Sequence, residues 1–254
     1  MNSDTSTLPV VPRNPCKTCS LCCRSYAVPV NGQDVWRIWR SQRLPPDKFV
    51  VPVEVAKDRP DALRLSADGG PILLILDTRA KEAHPGPCIF LLDLPGGHDR
   101  CGIYVDRPAA CRAYPMVQTR DGIVVKPKAL CPSESWTADD TRKESWSRVV
   151  READVQHDIY SLVVANWNEH VGHYPERQFT LDEFYGYLFN VYERIAALDA
   201  LVTPEDKRAV HTSWGHAAAG DDKRAAQPWH WYVEQILQIV GAFYPRVNPS
   251  VTAD

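Results

Sequence analysis

All eight cysteines of this 254-residue chain lie in its first 131 residues, and the last 123 residues contain none. This concentration constrains the fold more than any other feature, because clustered thiolates bind metals or form disulfides. Residues 1–15 are polar and show no basic start followed by an apolar stretch, so we expect no secretory signal and a cytoplasmic location. In a reducing compartment, clustered cysteines indicate metal binding rather than disulfides.

The first four cysteines form the motif Cys16-Lys17-Thr18-Cys19-Ser20-Leu21-Cys22-Cys23. Two intervening residues let successive thiolates bend around one centre, and three thiolates at this spacing suit three irons of a cubane cluster. Cys131 is a reasonable fourth ligand, because it precedes Pro132 and bacterial ferredoxin clusters also use a cysteine that precedes proline. The motif therefore predicts an iron–sulfur cluster of the 4Fe-4S type.

Zinc is the alternative metal. Zinc sites usually draw on two CxxC or CxxH pairs, whereas the later cysteines are separated by 12, 9 and 19 residues and form no second pair. This spacing favours iron–sulfur over zinc. Core filling explains the motif poorly, since four cysteines within eight residues would be an odd core, and adjacent Cys22 and Cys23 have the wrong geometry for a mutual disulfide.

Two arginines bracket Cys111 in the sequence. A cubane cluster or a four-thiolate zinc site carries a formal charge of about −2, so guanidinium groups nearby would lower the cost of holding it in a poorly solvated pocket. We therefore expect Arg107 and Arg112 to lie beside the metal as cofactor-binding residues that are not ligands. The same groups could also bind a carboxylate or phosphate. Pro108 should start a short helix that holds Cys111 and ends at Tyr114-Pro115.

The segment from Cys101 to Pro115, CGIYVDRPAACRAYP, joins the first motif, the segment GPCIFL at 86–91 and Cys131-Pro132 in one pattern. This pattern closely resembles the YkgJ-type CxxCxxCC family of zinc- or iron-chelating proteins, over about residues 16 to 132. The resemblance implies metal binding by all eight cysteines: Cys16, Cys19, Cys22, Cys23, Cys88, Cys101, Cys111 and Cys131. One branch is distantly similar to flagellin lysine N-methylases, in which a cluster accompanies methyl transfer from S-adenosylmethionine.

Hydrophobic periodicity indicates an α+β fold: a small, loop-rich, cysteine-ligated metal domain with short β-hairpins, packed on a C-terminal helical region. We place the metal domain at residues 1–135 and the helical region at 136–254. Asp34 should cap an early helix, and hairpins are expected between 62–65 and 72–76 and around Asp121-Gly122. Apolar residues three and four apart predict a helix from Leu181, started by a Thr180–Glu183 capping box. Helices at 137–170 and 228–242 complete the region.

Charge and hydropathy restrict the partners. Residues 1–131 contain 18 basic and 13 acidic residues, whereas the remainder contains 11 basic and 19 acidic ones. The first part is too mildly basic, and too poor in interleaved aromatic residues, to predict nucleic-acid binding. The longest aliphatic run, from Ile72 to Leu76, is far shorter than the roughly 20 residues that a membrane span needs. A metal ion or cluster is the expected partner, with a protein partner open.

The leading interpretation is a cytoplasmic metal-binding protein that holds an iron–sulfur cluster, or zinc, through its cysteines, with an enzymatic role left open. A second interpretation is a zinc-stapled interaction module, in which metal only holds the fold and the acidic helical part meets a partner. A third is a cluster-assisted S-adenosylmethionine-dependent protein methyltransferase. Iron and sulfide content separates the first two, and calorimetry with S-adenosylmethionine tests the third.

Overall fold

The computed structural model describes residues 20–79, 86–95, 99–119, 122–131, 140–203 and 228–242. These residues combine helices with short antiparallel strand pairs, so the predicted α+β class is confirmed. Cys16 and Cys19 lie outside the described residues, as do the ends of both predicted domains. The described residues form six α-helices: α1 Leu21–Ser25, α2 Gly32–Gln42, α3 Ala109–Ala113, α4 Asp140–Gly172, α5 Leu181–Leu201 and α6 Pro228–Gly241.

Three two-stranded antiparallel sheets lie in the part of the chain that carries the cysteines. They pair β1 Val50–Glu54 with β2 Ile72–Leu76, β3 Leu91–Leu92 with β4 Arg100–Cys101, and β5 Met116–Thr119 with β6 Gly122–Val125. The last pair is the hairpin expected near Gly122, although Asp121 itself lies outside the described residues. Such short strands expose most of their backbone edges, so this region depends on contacts beyond its own hydrogen bonds.

The partner that we predicted for Ile72–Leu76 was wrong. This strand pairs along its whole length with β1, from Val50 opposite Leu76 to Glu54 opposite Ile72. Residue Leu63, in the segment that we expected to pair, makes only a bridge, in which its N–H and C=O bond Ile72 at 2.9 and 2.8 Å. The β1 segment contains Pro52, which lowers strand propensity but is tolerated in a two-stranded sheet, where each strand is an edge.

The cap of α2 also differs from our expectation. Asn31 is the N-cap, and its side-chain oxygen accepts a hydrogen bond from Asp34 N at 2.9 Å. The Asp34 side chain in turn accepts a hydrogen bond from Asn31 N at 3.3 Å. Asp34 therefore completes the capping box from a position inside the helix. Between them lies Gly32, where a Cβ atom would stand 2.5 Å from Cε2 of Tyr192. The close approach of α2 to α5 therefore requires glycine at this position.

One hydrophobic core takes residues from both ends of the described chain. Val35 and Ile38 of α2 join Leu74 of β2, Trp167 of α4 and Ile236 of α6 in a single buried cluster. The expected capping box of α5 is present, since Thr180 and Glu183 exchange side-chain to backbone hydrogen bonds. The long helices and the α2–β1–β2 unit therefore form one platform, against which the cysteine-bearing segments lie.

Polar side chains of α4 attach the β1–β2 region to this platform. Trp167 Nε1 donates to Arg64 O at 2.8 Å, and Asn168 accepts from Arg64 N at 2.8 Å while donating to Ala62 O at 3.0 Å. These three bonds give hydrogen-bond partners to backbone groups of Ala62 and Arg64. In this segment only Leu63 pairs with β2. The segment that failed to form a strand is thus held by a helix.

Candidate metal centre

A cavity of about 350 Å³ lies beside the platform, and every cysteine in the described part of the chain lines it. These cysteines come from α1, from three later segments and from the end of the described loop that follows β6. They are Cys22, Cys23, Cys88, Cys101, Cys111 and Cys131. The fold therefore gathers thiols from positions more than a hundred residues apart into one wall.

Helix α1 carries Cys22 and Cys23 and is fixed by the residue that follows them. Arg24 donates from Nε to Asp99 at 3.0 Å and from Nη2 to Asp93 at 2.6 Å. Ser20, the residue before α1, donates to the same oxygen of Asp99 at 2.8 Å. Asp99 stands two residues before Cys101, so this network joins the first cysteine motif to the strand that carries Cys101.

Cys88 and Cys101 occupy neighbouring backbone segments. Cys88 N donates to Cys23 O at 2.7 Å, which pairs the Cys88 backbone directly with α1. Leu91 N donates to Cys88 O at 3.0 Å, and Leu91 is the residue opposite Cys101 in the β3–β4 pair. The β3–β4 pair and the segment just before β3 thus present the two thiols to the cavity.

Cys111 lies in α3, which begins after Pro108 and ends before Tyr114 as predicted. The buried carboxylate of Asp34 accepts a hydrogen bond from Ala109 N at 2.9 Å, at the start of α3. It also pairs with Arg37 at 3.0 Å, and Arg37 Nη2 donates to Arg107 O at 2.7 Å. The chain on both sides of Pro108 is therefore fixed to α2. Burial raises the pKa of Asp34, whereas Arg37 and the backbone donors oppose that rise.

The two arginines that flank Cys111 point to different places. Arg107 lines the cavity, donates from Nε to Tyr104 O at 3.1 Å, and places its guanidinium carbon 3.9 Å from the centre of the Tyr104 ring. Arg112 instead pairs with Glu152 at 2.9 Å and donates to Gln156 at 3.2 Å, both on α4. Arg107 thus adds positive charge to the cavity wall, and Arg112 attaches α3 to the platform.

Cys131 reaches the cavity beside a pair of tyrosine rings. Leu130 N donates to the hydroxyl of Tyr114 at 2.7 Å, and this bond fixes the backbone just before Cys131. The Tyr114 ring packs edge to face on Tyr26 at 5.6 Å between centroids, and both rings line the cavity. The last cysteine is therefore attached to the segment that follows α3 rather than to α2 or α4.

The thiols differ in how readily they ionise. A hydrogen bond from Cys22 lowers the pKa of Cys23 to about 7 against the opposing effect of burial, with help from Arg107 and Arg24. Burial raises the pKa of Cys88 to about 11, and it raises the pKa of Cys111 well above the ordinary range. Metal ligation requires thiolates, so Cys23 is the first of these three to be ready to bind.

The donor set fits a metal centre, although its present spacing does not match a single ion. Among the described residues, no group of three or more cysteine, histidine or carboxylate side chains is close enough to hold a metal ion. Two of the eight predicted ligands, Cys16 and Cys19, lie outside these residues. Cysteine is nevertheless a ligand that zinc and iron–sulfur clusters use in proteins, and six cysteines face this one cavity.

The residues that hold the cysteines were not predicted as a group. Sequence reasoning assigned Asp34 to a helix cap and did not assign Arg24, Arg37 or Asp99. Their partners in other elements lie 69 to 79 residues away in the chain, so no local pattern reveals them. Only Arg24 could have been suggested by the sequence, because it directly follows Cys23 and its positive charge would suit a position beside an anionic metal centre.

Across the part of the chain that the structure describes, no helix has both the length and the hydropathy required to cross a membrane. Searches of curated proteins and of solved structures found no match. A family model does match residues 15–132, which include all eight cysteines, and its description is “CxxCxxCC: Putative zinc- or iron-chelating domain”. The match supports metal chelation by this segment. Residues 15–132 of the chain are therefore similar to the CxxCxxCC family.

Proposed function

We propose that the chain holds an iron–sulfur cluster of the 4Fe-4S type in the cavity described above, in a reducing compartment such as the cytoplasm. The observation that carries this proposal is the convergence of six cysteines on one cavity of about 350 Å³. Such a cluster supplies electron transfer or a Lewis-acidic iron when it is bound. The residues of this chain supply its thiolates, its compensating charge and its shelter from water.

The space between the thiols supports a cluster over a single zinc ion. Zinc draws four sulfurs to bond lengths of about 2.3 Å from one point. A cubane cluster places its own iron and sulfide atoms between the cysteines, so its thiolates stand farther apart. The described cysteines surround a cavity, and no three of them approach closely enough for one ion. This arrangement supports a polynuclear occupant.

The charge of the cavity wall supports the same proposal. A cubane held by four thiolates carries about −2 in formal charge, which is costly to bury without compensation. Arg107, Arg100 and Lys126 line the cavity, with Asp99 as the acidic side chain among its lining residues. Asp99 is paired with Arg24, so its negative charge is offset within the cavity wall. The charge of the three basic side chains would stabilise an anionic centre and favour its reduced state.

Metal and sulfide analysis of the full chain tests the proposal. Protein purified anaerobically from iron-replete cells should be brown and contain iron with an equal amount of acid-labile sulfide. Cys111→Ser should lose iron, whereas Ala110→Ser, which adds the same hydroxyl to the neighbouring cavity residue, should retain it. Colourless protein with stoichiometric zinc would overturn the proposal and favour a zinc-stapled interaction module.

A further inference from the structure

We propose that the cavity also binds a small organic anion with an apolar body, held against a pair of tyrosine rings beside the metal centre. The inference rests on the proposed function, because it names the class of molecule that would share the cavity with the cluster. It follows from the part of the cavity wall that is not made of cysteine.

The wall of the cavity contains more than a set of metal ligands. A metal centre needs thiolates and shelter from water. Besides its cysteines, the cavity is lined by aromatic rings from four places in the chain: Tyr26, Phe90, Tyr104 and Tyr114. Its volume of about 350 Å³ lies at the lower end of the range of small-molecule sites, roughly 300–1,000 Å³. Such sites combine apolar and aromatic walls with a few polar groups.

One end of the cavity is built around two tyrosines. The rings of Tyr26 and Tyr114 pack edge to face with their centroids 5.6 Å apart, and both side chains are half-buried. Val28 O accepts a hydrogen bond from Leu76 N at 2.8 Å, so the wall continues from this pair onto β2. All four side chains line the cavity. This end therefore offers an aromatic and aliphatic surface to an organic molecule.

A lysine lies beside the tyrosine pair. Lys126 N donates to Pro115 O at 2.7 Å, which fixes the backbone of Lys126 next to that of Tyr114. Lys126 lines the cavity and is exposed to solvent, whereas the tyrosine rings are half-buried. An anionic group that meets Lys126 would keep part of its hydration, while an apolar body attached to it would be buried against the rings. This orientation has the lowest desolvation cost.

The charge of the wall selects an anion over a cation. Arg100, Arg107 and Lys126 line the cavity, and the one carboxylate among its described lining residues is Asp99, which is paired with Arg24. A cubane cluster of about −2 formal charge offsets only part of this positive charge. The wall therefore favours one further negative charge, such as that of a monocarboxylate.

Calorimetric titration of the full chain, loaded anaerobically with iron and sulfide, tests the proposal with benzoate as the probe. Benzoate should bind about tenfold more tightly than acetate, which lacks the ring, and about threefold more tightly than benzamide, which lacks the charge. Benzoate should also change the electron paramagnetic resonance spectrum of the reduced cluster, because it binds beside the metal.

Substitutions in the wall give a second measurement. Tyr26→Ala should weaken benzoate binding about tenfold, whereas Tyr26→Phe, which keeps the ring, should retain it. Lys126→Met should weaken binding about threefold, the size expected of an exposed ion pair. Lys57→Met removes an exposed lysine that does not line the cavity and should have no effect. Iron content and helical circular dichroism should be the same in all four variants.

Three results would overturn the proposal. The first is a loaded chain that binds none of the probes, or that binds benzamide as tightly as benzoate. The second is benzoate binding that Tyr26→Ala and Lys126→Met both leave unchanged, since the probe then lies elsewhere. The third is binding that leaves the spectrum of the cluster unaltered. Absence of iron and sulfide from the unaltered chain would instead contradict the proposed function.

Discussion

Arg107 and Arg112 look equivalent in the sequence, since both flank Cys111 and both carry a permanent positive charge. The fold gives them different neighbours. The guanidinium of Arg107 lies over Tyr104 in the cavity wall, whereas Arg112 bonds Glu152 and Gln156 on α4. Arg107 precedes α3 and Arg112 lies within it, so the two residues need not face the same side of Cys111. Of these two arginines, only Arg107 lines the cavity.

We expect Arg107→Leu to lower the reduction potential of the bound cluster, because the reduced cluster is the more negative state and loses a stabilising charge. Arg112→Leu should leave the potential unchanged and reduce the free energy of unfolding by about 1–2 kcal/mol, through loss of charge-assisted hydrogen bonds. Redox titration and chemical denaturation measure the two effects. A potential that shifts equally in both variants would contradict this assignment.

At the scale of single elements, the sequence predicts the helices better than the strands. The box at Thr180 and Glu183 and the apolar residues after it mark α5 by local chemistry alone. The partner of Ile72–Leu76 could not be recognised in that way, because β1 contains Pro52 and the predicted partner is instead bonded by Trp167 and Asn168. Strand pairing depends on contacts distant in sequence, which a single-sequence pattern does not contain.

The same limit applies to the candidate site. The cysteine spacing predicts the donor chemistry, and Pro108 predicts the helix that carries Cys111. The anchor of that helix is Asp34, whose carboxylate bonds Ala109 N from a position 75 residues earlier. Nothing in the local sequence distinguishes this carboxylate from an ordinary helix cap, so its second partner emerges only in the fold.

We expect Asp34→Ala to destabilise the metal-free chain by about 3 kcal/mol, because it leaves Arg37 partly buried without its counter-charge and removes an acceptor from Ala109 N. Asp34→Asn should lose less stability, since the amide oxygen can still accept the hydrogen bond from Ala109 N. Urea denaturation of the metal-free chain measures both changes. Asp68→Ala removes a carboxylate from an exposed turn and should have little effect. Equal losses of unfolding free energy in Asp34→Ala and Asp68→Ala would show that the Asp34 bonds do not stabilise the fold.

At the scale of the whole molecule, apolar burial is distributed unevenly. The described residues between 86 and 131 contribute only Leu91, Ile103 and Ala109 to the buried hydrophobic residues. The platform, in contrast, contains a continuous core that runs from α2 to α6. Hydrophobic burial is the main source of folding free energy, so we expect the cysteine-bearing segments to depend more on hydrogen bonds, ion pairs and bound metal.

Chelation should therefore loosen the cysteine-bearing segments and spare the platform. Limited proteolysis of metal-depleted protein should cut between residues 86 and 131, while 30–79 and 144–198 remain intact and most helical circular dichroism is retained. The same protein reloaded with metal is the control. A cleavage pattern that is identical with and without metal would show that these segments fold without it.

The ion pair between Arg112 and α4 also has a consequence for how the protein is made. Its partners Glu152 and Gln156 follow Arg112 by 40 and 44 residues, whereas every cysteine has been synthesised by residue 131. Ribosomes add about 5–20 residues per second, so completing α4 after the last cysteine takes on the order of seconds. The thiols therefore leave the ribosome before the helix that anchors α3. We therefore expect the time available for metal delivery before α3 is anchored to depend on the rate of translation.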